Sequence, residues 1–169
     1  TSLVGSEMCI RDRASGDGPE LWCEYMRNEI PPLWGYEFSG SRWNQGYVSI
    51  DKHIFLLVSL QKAGLQDQHQ YEDIFLAPDL FQWVSQNQHA QGGKAGQAME
   101  HHVERGFQVH LFVRAIRKTQ RGKAAPFVYC GDVVFVDWEG SKPITIRWQL
   151  KEPVPDYLLG PFGLAETLG

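Results

Sequence analysis

Apolar and polar positions change period several times along this chain. The clearest alternation runs through ITIRWQL. There Ile144, Ile146, Trp148 and Leu150 share one face and Thr145, Arg147 and Gln149 the other, which predicts a half-buried strand. QVHLFVR alternates in the same way, with Val109, Leu111 and Val113 opposed to Gln108, His110, Phe112 and Arg114. FVYCG and DVVFVDW predict two further strands. GYVSI and IFLLVSLQ predict a pair joined by Asp51-Lys52-His53; the second is almost continuously apolar and therefore central. Tyr71 to Leu76 predicts a short strand or edge segment.

Three stretches have helical spacing. Asp17-Gly18-Pro19 has the form of a helix start, and Leu21, Trp22, Tyr25 and Met26 then fall on one face until Pro31-Pro32. Ala77-Pro78-Asp79 predicts the start of a short helix, DLFQWV. AGQAMEHHVERG predicts a helix ended by Gly106. Strands do not alternate with long helices, which argues against a parallel α/β sheet. The expected class is α+β: a bent, partly closed β-barrel with flanking helices.

The first 13 residues fit none of these patterns. Their longest apolar runs are two residues, too short for a secretion signal or a membrane span. LVGSEMCIRD resembles a translated sequencing-library transposon adapter. Residues 1–13 are therefore expected to be a non-native, disordered tail that packs on nothing, with a single domain over 14–169. The 169 residues include 43% hydrophobic and 12% aromatic residues, a globular composition for one domain. Outside the tail only Cys23 and Cys130 are left, far apart, which suggests reduced thiols and a cytoplasmic location.

Charge is uneven. Arg105, Arg114, Arg117, Lys118, Arg121 and Lys123 fall in one stretch without an acid, leaving −10 on the rest of a chain whose net charge is −4. A basic strip on an acidic body suits phosphate contacts, and it equally suits a solvated hairpin loop. Metal chemistry has little support. His101 and His102 are adjacent on a helix, so their side chains diverge, and no H-E-x-x-H or C-x-x-C pair occurs. No phosphate-binding glycine loop or G-x-S-x-G is present. Asp132 or Asp137 with Glu139 and Lys142, or with Gln149-Leu150-Lys151, leaves a metal-dependent nuclease as an alternative.

YEDIFLAPDLFQWVSQNQ is the richest stretch. It joins aromatics that can stack on a base (Tyr71, Phe75, Phe81, Trp83) to acids and amides that can read its edges (Glu72, Asp73, Gln86, Asn87, Gln88). The same residues also suit a core with a capped turn.

YED-FL-P-LF-W-SQN, GQ, a helix with His, VHLFVR, APF-YCG and EGSKPITIRW-L-EPVP occur in order over residues 34–157. Together they resemble the C-terminal domain of SauUSI-type type IV, modification-dependent restriction enzymes. The resemblance implies an SRA/PUA-like fold that binds double-stranded DNA carrying 5-methyl- or 5-hydroxymethylcytosine and holds the flipped base. It implies no cofactor, no metal and no catalytic residue, and a nuclease and a helicase in the parent gene as further partners. A protein-interaction module of a defence complex, without a base pocket, is the other alternative.

The implied base pocket is Tyr71, Asp73, Phe75, Trp83, Ser85, Gln86 and Asn87. Tyr71 and Trp83 would sandwich the base, and Asp73 would accept from its amino group. Lys94, Arg105, Arg114, Arg117, Lys118, Arg121 and Lys123 would contact the DNA backbone. Where the family often reads FHWQSQ, this chain has Gln82 in place of His and Val84 in place of Gln.

Overall fold

A computed structural model describes residues 21–44, 46–60, 73–85, 90–115, 121–140, 144–159 and 162. The adapter-like stretch lies outside the described residues. The chain begins with a short strand, β1 (Glu24–Tyr25), two 3-10 turns (Arg27–Glu29 and Pro31–Trp34) and a single helical turn, α1 (Gly40–Trp43). Two strands follow, β2 (Tyr47–Ile50) and β3 (His53–Ser59), then the hairpin β4 (Ile74–Ala77) and β5 (Leu80–Val84). Helices α2 (Lys94–Glu100) and α3 (His102–Arg105) lead to β6 (Gln108–Arg114), β7 (Phe127–Glu139), β8 (Thr145–Leu150) and α4 (Asp156–Leu159).

The strands form one sheet in the order β2-β3-β6-β7-β8-β5-β4, with β1 added alongside β7. The β3–β6 pair is parallel and the other pairs are antiparallel. The parallel pair exists because the β4–β5 hairpin and both helices intervene before the chain returns beside β3.

The apolar run in β3 is explained by burial on both faces. Ile54, Leu56 and Val58 join the main core with Val109, Leu111, Ile146 and Trp148. Phe55 and Leu57 point the other way, into a second core with Cys23, Tyr25, Ile30, Trp43 and Phe112. The N-terminal segment therefore covers the outer face of the sheet, and Phe112, on the polar-looking side of QVHLFVR, is fully buried.

Three local expectations change. The stretch around Leu21–Met26 is not a helix. Trp22 N donates to the Tyr129 carbonyl and Tyr129 N to the Cys23 carbonyl, so sheet bonds override a weak helical pattern. DLFQWV is a strand, because its Phe81 and Trp83 pair with Trp148 and Ile146 of β8 and fill the main core. Pro78 and Asp79 lie in the hairpin turn rather than at a helix start. FVYCG and DVVFVDW form one continuous strand of 13 residues, bent at Gly131, whose φ of 90° suits glycine. The helix before Gly106 does form, broken at His101, and Gly106 ends it at φ 79°. Cys23 and Cys130 are both buried, and Cys130 is a free thiol.

Candidate nucleic-acid interface

The first strand of the order and the next-to-last, β2 and β5, meet through side chains. Tyr47 on β2 stacks on Trp83 of β5, with ring centroids 6.1 Å apart and planes at 30°. The sheet is thus rolled into a barrel that stays partly open along this seam. Phe81 and Trp83 point inward from β5, and Trp83 is only 3% exposed. Tyr47 is partly buried. Desolvation raises its phenol above the ordinary range, partly offset by a hydrogen bond with Ser49, so it stays a neutral hydroxyl.

Asp73 sits just before β4, at the C-terminal end of β5. Its Oδ1 accepts from Val84 N at 2.7 Å, which pins the two strands of the hairpin together. Ser85 locks the same end to β8: Ile144 N donates to its Oγ at 2.9 Å, and Ser85 N donates to the Ile144 carbonyl at 2.9 Å. The structure therefore brings Asp73, Trp83 and Ser85 to one end of the hairpin, beside the seam. Phe75 lies elsewhere, in the core between Phe81 (4.8 Å) and Phe162 (5.1 Å). Tyr71, Gln86 and Asn87 lie outside the described residues. Tyr47 was missed, because nothing in GYVSI marks it; only closure of the barrel puts it against Trp83.

The basic strip does not stay together. Lys94, Arg105, Arg121 and Lys123 are exposed. Arg105 precedes β6, whereas Arg121 and Lys123 follow it, so seven strand residues, about 23 Å at 3.3 Å per residue, separate the two groups. Arg117 and Lys118 lie outside the described residues. Arg114 is placed against its expected role, at 8% exposure. Its Nε donates to Ser59 Oγ at 2.7 Å and its Nη1 to the Ala125 carbonyl at 3.0 Å. Its guanidinium lies 4.3 Å from the Phe127 ring centroid. Arg114 braces the ends of β3 and β6 from inside.

The acids of the nuclease alternative are paired with bases. Asp137 holds Arg147 at 2.6 Å, with Glu139 at 3.8 Å from the same side chain, and Asp132 lies 3.7 Å from Lys151. Lys142 lies outside the described residues. Among the described residues no group of three His, Cys, Asp or Glu is arranged to hold a metal ion. His102 is buried, with Nε2 accepting from Phe135 N at 3.2 Å and Nδ1 facing the Phe107 carbonyl at 3.4 Å. No helix among the described residues is long and apolar enough to cross a membrane.

The family model of a domain of unknown function, DUF3427, matches residues 20–162. The chain belongs to the DUF3427 family. No curated protein matches the sequence of this DUF3427 domain. Among solved structures it is similar to the SRA domain of SUVH5 in complex with fully methylated CG DNA. That match has a TM-score of 0.51 and 16% identity, covering 82% of this chain and 93% of that one. It is also similar to KRYPTONITE in complex with mCHH DNA, an H3(1-15) peptide and SAH, with a TM-score of 0.52 and 15% identity. There it covers 91% of this chain and spans 37% of the other. The DUF3427 domain is thus an SRA-like α+β fold, a partly open barrel, as expected.

Proposed function

We propose that this DUF3427 domain is a non-enzymatic reader of modified cytosine in double-stranded DNA, taking the flipped base at the barrel seam. The observation that carries the reading is the seam itself: an aromatic pair, Tyr47 and Trp83, beside the carboxylate of Asp73, in an SRA-like barrel. The solved SRA-like relatives were crystallised with methylated DNA, which supports the same reading.

The energetics constrain it. Extruding a base costs a few kcal/mol, and stacking on an aromatic ring returns about 1–3 kcal/mol per base. Two planar faces need about 7 Å between them to hold a base at ordinary stacking separation. The Tyr47 and Trp83 centroids are 6.1 Å apart, so a small opening of the seam would admit one. Asp73 then accepts from the cytosine amino group, with Tyr71, Gln86 and Asn87 completing the pocket. A buried methyl adds only about 0.8 kcal/mol, so a close-fitting apolar wall must supply the discrimination. Lys94, Arg105, Arg121 and Lys123, with Arg117 and Lys118, hold phosphates, which position the protein without reading sequence. In this reading the domain serves a modification-dependent restriction or phage-defence system in the cytoplasm, together with a nuclease and a helicase.

Gel shifts at one fixed salt concentration test it, using matched duplexes with plain, 5-methyl or 5-hydroxymethylcytosine. Tighter binding of a modified duplex is expected, and equal affinity for all three refutes the reading. Mg²⁺-dependent cutting by the domain would overturn the non-enzymatic assignment. Asp73→Ala should erase the preference for the modified duplex and leave weak, salt-sensitive binding.

A further inference from the structure

The outer face of the sheet carries a chain of titratable side chains that the DNA-reading proposal leaves unused. His53 opens β3, and the parallel register sets it across from Gln108 and close to His110 on β6. His53 Nδ1 lies 3.0 Å from His110 Nε2. His110 Nδ1 lies 2.9 Å from Oδ1 of Asp132, its cross-strand partner on β7. Trp34, from the N-terminal segment that covers this face, packs on the result, with its ring centroid 4.7 Å from that of His110.

Counting protons shows what this array tolerates. An ionised carboxylate only accepts, so His110 carries its hydrogen on Nδ1. Neutral His110 then accepts at Nε2, so His53 also carries its hydrogen on Nδ1. Nε2 of His53 is the atom that takes the next proton. That first proton leaves both hydrogen bonds intact. A second must go to His110 Nε2, where it meets the His53 Nδ1–H at 3.0 Å. Two donors and two cations would then face each other, and no proton placement satisfies both rings.

We propose that Asp132, His110 and His53 form a relay that takes up one proton without rearranging. A second proton releases the N-terminal cover through Trp34, an acid-opened latch.

The surrounding charges divide between the two steps. Asp51 and Lys52 flank His53 from the β2–β3 turn, and Tyr36 of the cover donates to Asp51 at 2.8 Å. Tyr129 donates to Asp132 at 3.4 Å, and Lys151, just after β8, lies 3.7 Å from the same carboxylate. Burial would raise the Asp132 carboxyl. The hydrogen bond and charge of His110, with Lys151 and Tyr129, more than offset this and hold it below the ordinary carboxylate range. Burial and then the charge of His110 push the His53 imidazole down, while Asp51 and Asp132 pull it up. His102, on α3, feels the same Lys151 and Asp132 charges.

Nitrogen NMR of the histidine rings in the full chain, from about pH 8 to about pH 5 across the imidazole range, tests the latch. Both rings should show the Nδ1–H tautomer at the alkaline end, which free imidazole disfavours. The first proton should appear at His53 Nε2, with its charge shared across the His53–His110 hydrogen bond. At the second step the Trp34 indole signal, assigned with Trp34→Phe, should shift, and amide exchange over residues 21–44 should rise at least roughly tenfold, about 1.4 kcal/mol. The Trp148 indole signal should stay in place. In His53→Ala the lone imidazolium faces only Asp132, so the cover should stay closed at the acid end. Asp132→Ala should abolish the fixed tautomer of His110. An Nε2–H tautomer at either ring in the wild type overturns the relay. Opening of His53→Ala at the wild-type pH overturns the latch, as does simultaneous movement of the Trp34 and Trp148 signals.

Discussion

Replacing Arg114 by Met separates two roles for a buried cation. Its side chain makes hydrogen bonds of 2.7 Å to Ser59 and 3.0 Å to Ala125 and lies 4.3 Å from the Phe127 centroid. Hydrogen bonds from a charged donor contribute about 1.5–3 kcal/mol each, and a desolvated cation–π contact up to about 2 kcal/mol. Met keeps much of the volume and removes a buried charge, whose desolvation returns several kcal/mol. It also leaves Ser59 Oγ and the Ala125 carbonyl without their donor, at about 1–3 kcal/mol each. The balance is a net loss of about 2–4 kcal/mol. At about 2–4 °C per kcal/mol for a chain of this size, the melting temperature should fall by roughly 5–15 °C. Thermal unfolding measures that fall. The salt dependence of DNA affinity, measured well below the new melting temperature, should keep its slope. A variant that melts within about 2 °C of the parent, with a slope smaller by about 0.9, would place Arg114 on a phosphate and refute the bracing role.

Other expectations follow from the same geometry. A Cβ at Gly96 would press on the carbonyl oxygens of Ala90 and Gln91, so Gly96→Ala should cost about 1–3 kcal/mol in urea unfolding. Because Gln97 Nε2 also holds the Gln91 carbonyl at 2.9 Å, that variant should weaken the preference for modified DNA as well. His102 is held below the ordinary imidazole range, chiefly by burial, so the unfolded chain binds its proton at a higher pH than the folded one. Stability should therefore be lost as pH falls below about 6.5, and His102→Gln should flatten that part of the stability–pH curve. Charge reversal at Arg121 and Lys123, both exposed, should weaken every duplex alike in gel shifts; a loss confined to the modified duplex would count against a backbone role.

How much of this was legible in the sequence differs from element to element. Residues 145–150 announce themselves, because one buried face gives a strict period of two. DLFQWV did not, because six residues with Phe81, Trp83 and an Asp-initiated start suit a strand or a helical turn equally. Only pairing with β8 chose the strand. The same limit applied to the site. Asp73 and Trp83 stood out by type within one short stretch, and they do end up near one another. Tyr47 and the His53–His110–Asp132 array did not stand out, since each is assembled from strands far apart in the chain.

By itself the sequence determined where most strands run, that the sheet would be bent and mixed with short helices, and which stretch gathers the aromatic, acidic and amide residues on which the proposed pocket draws. These follow from local periodicity and residue type, which need no partner. The tertiary structure decided which faces are buried twice, that Arg114 turns inward while Arg121 and Lys123 stay out, and which aromatic meets Trp83. Those depend on register and on closure of the barrel, contacts between distant segments that no local pattern encodes.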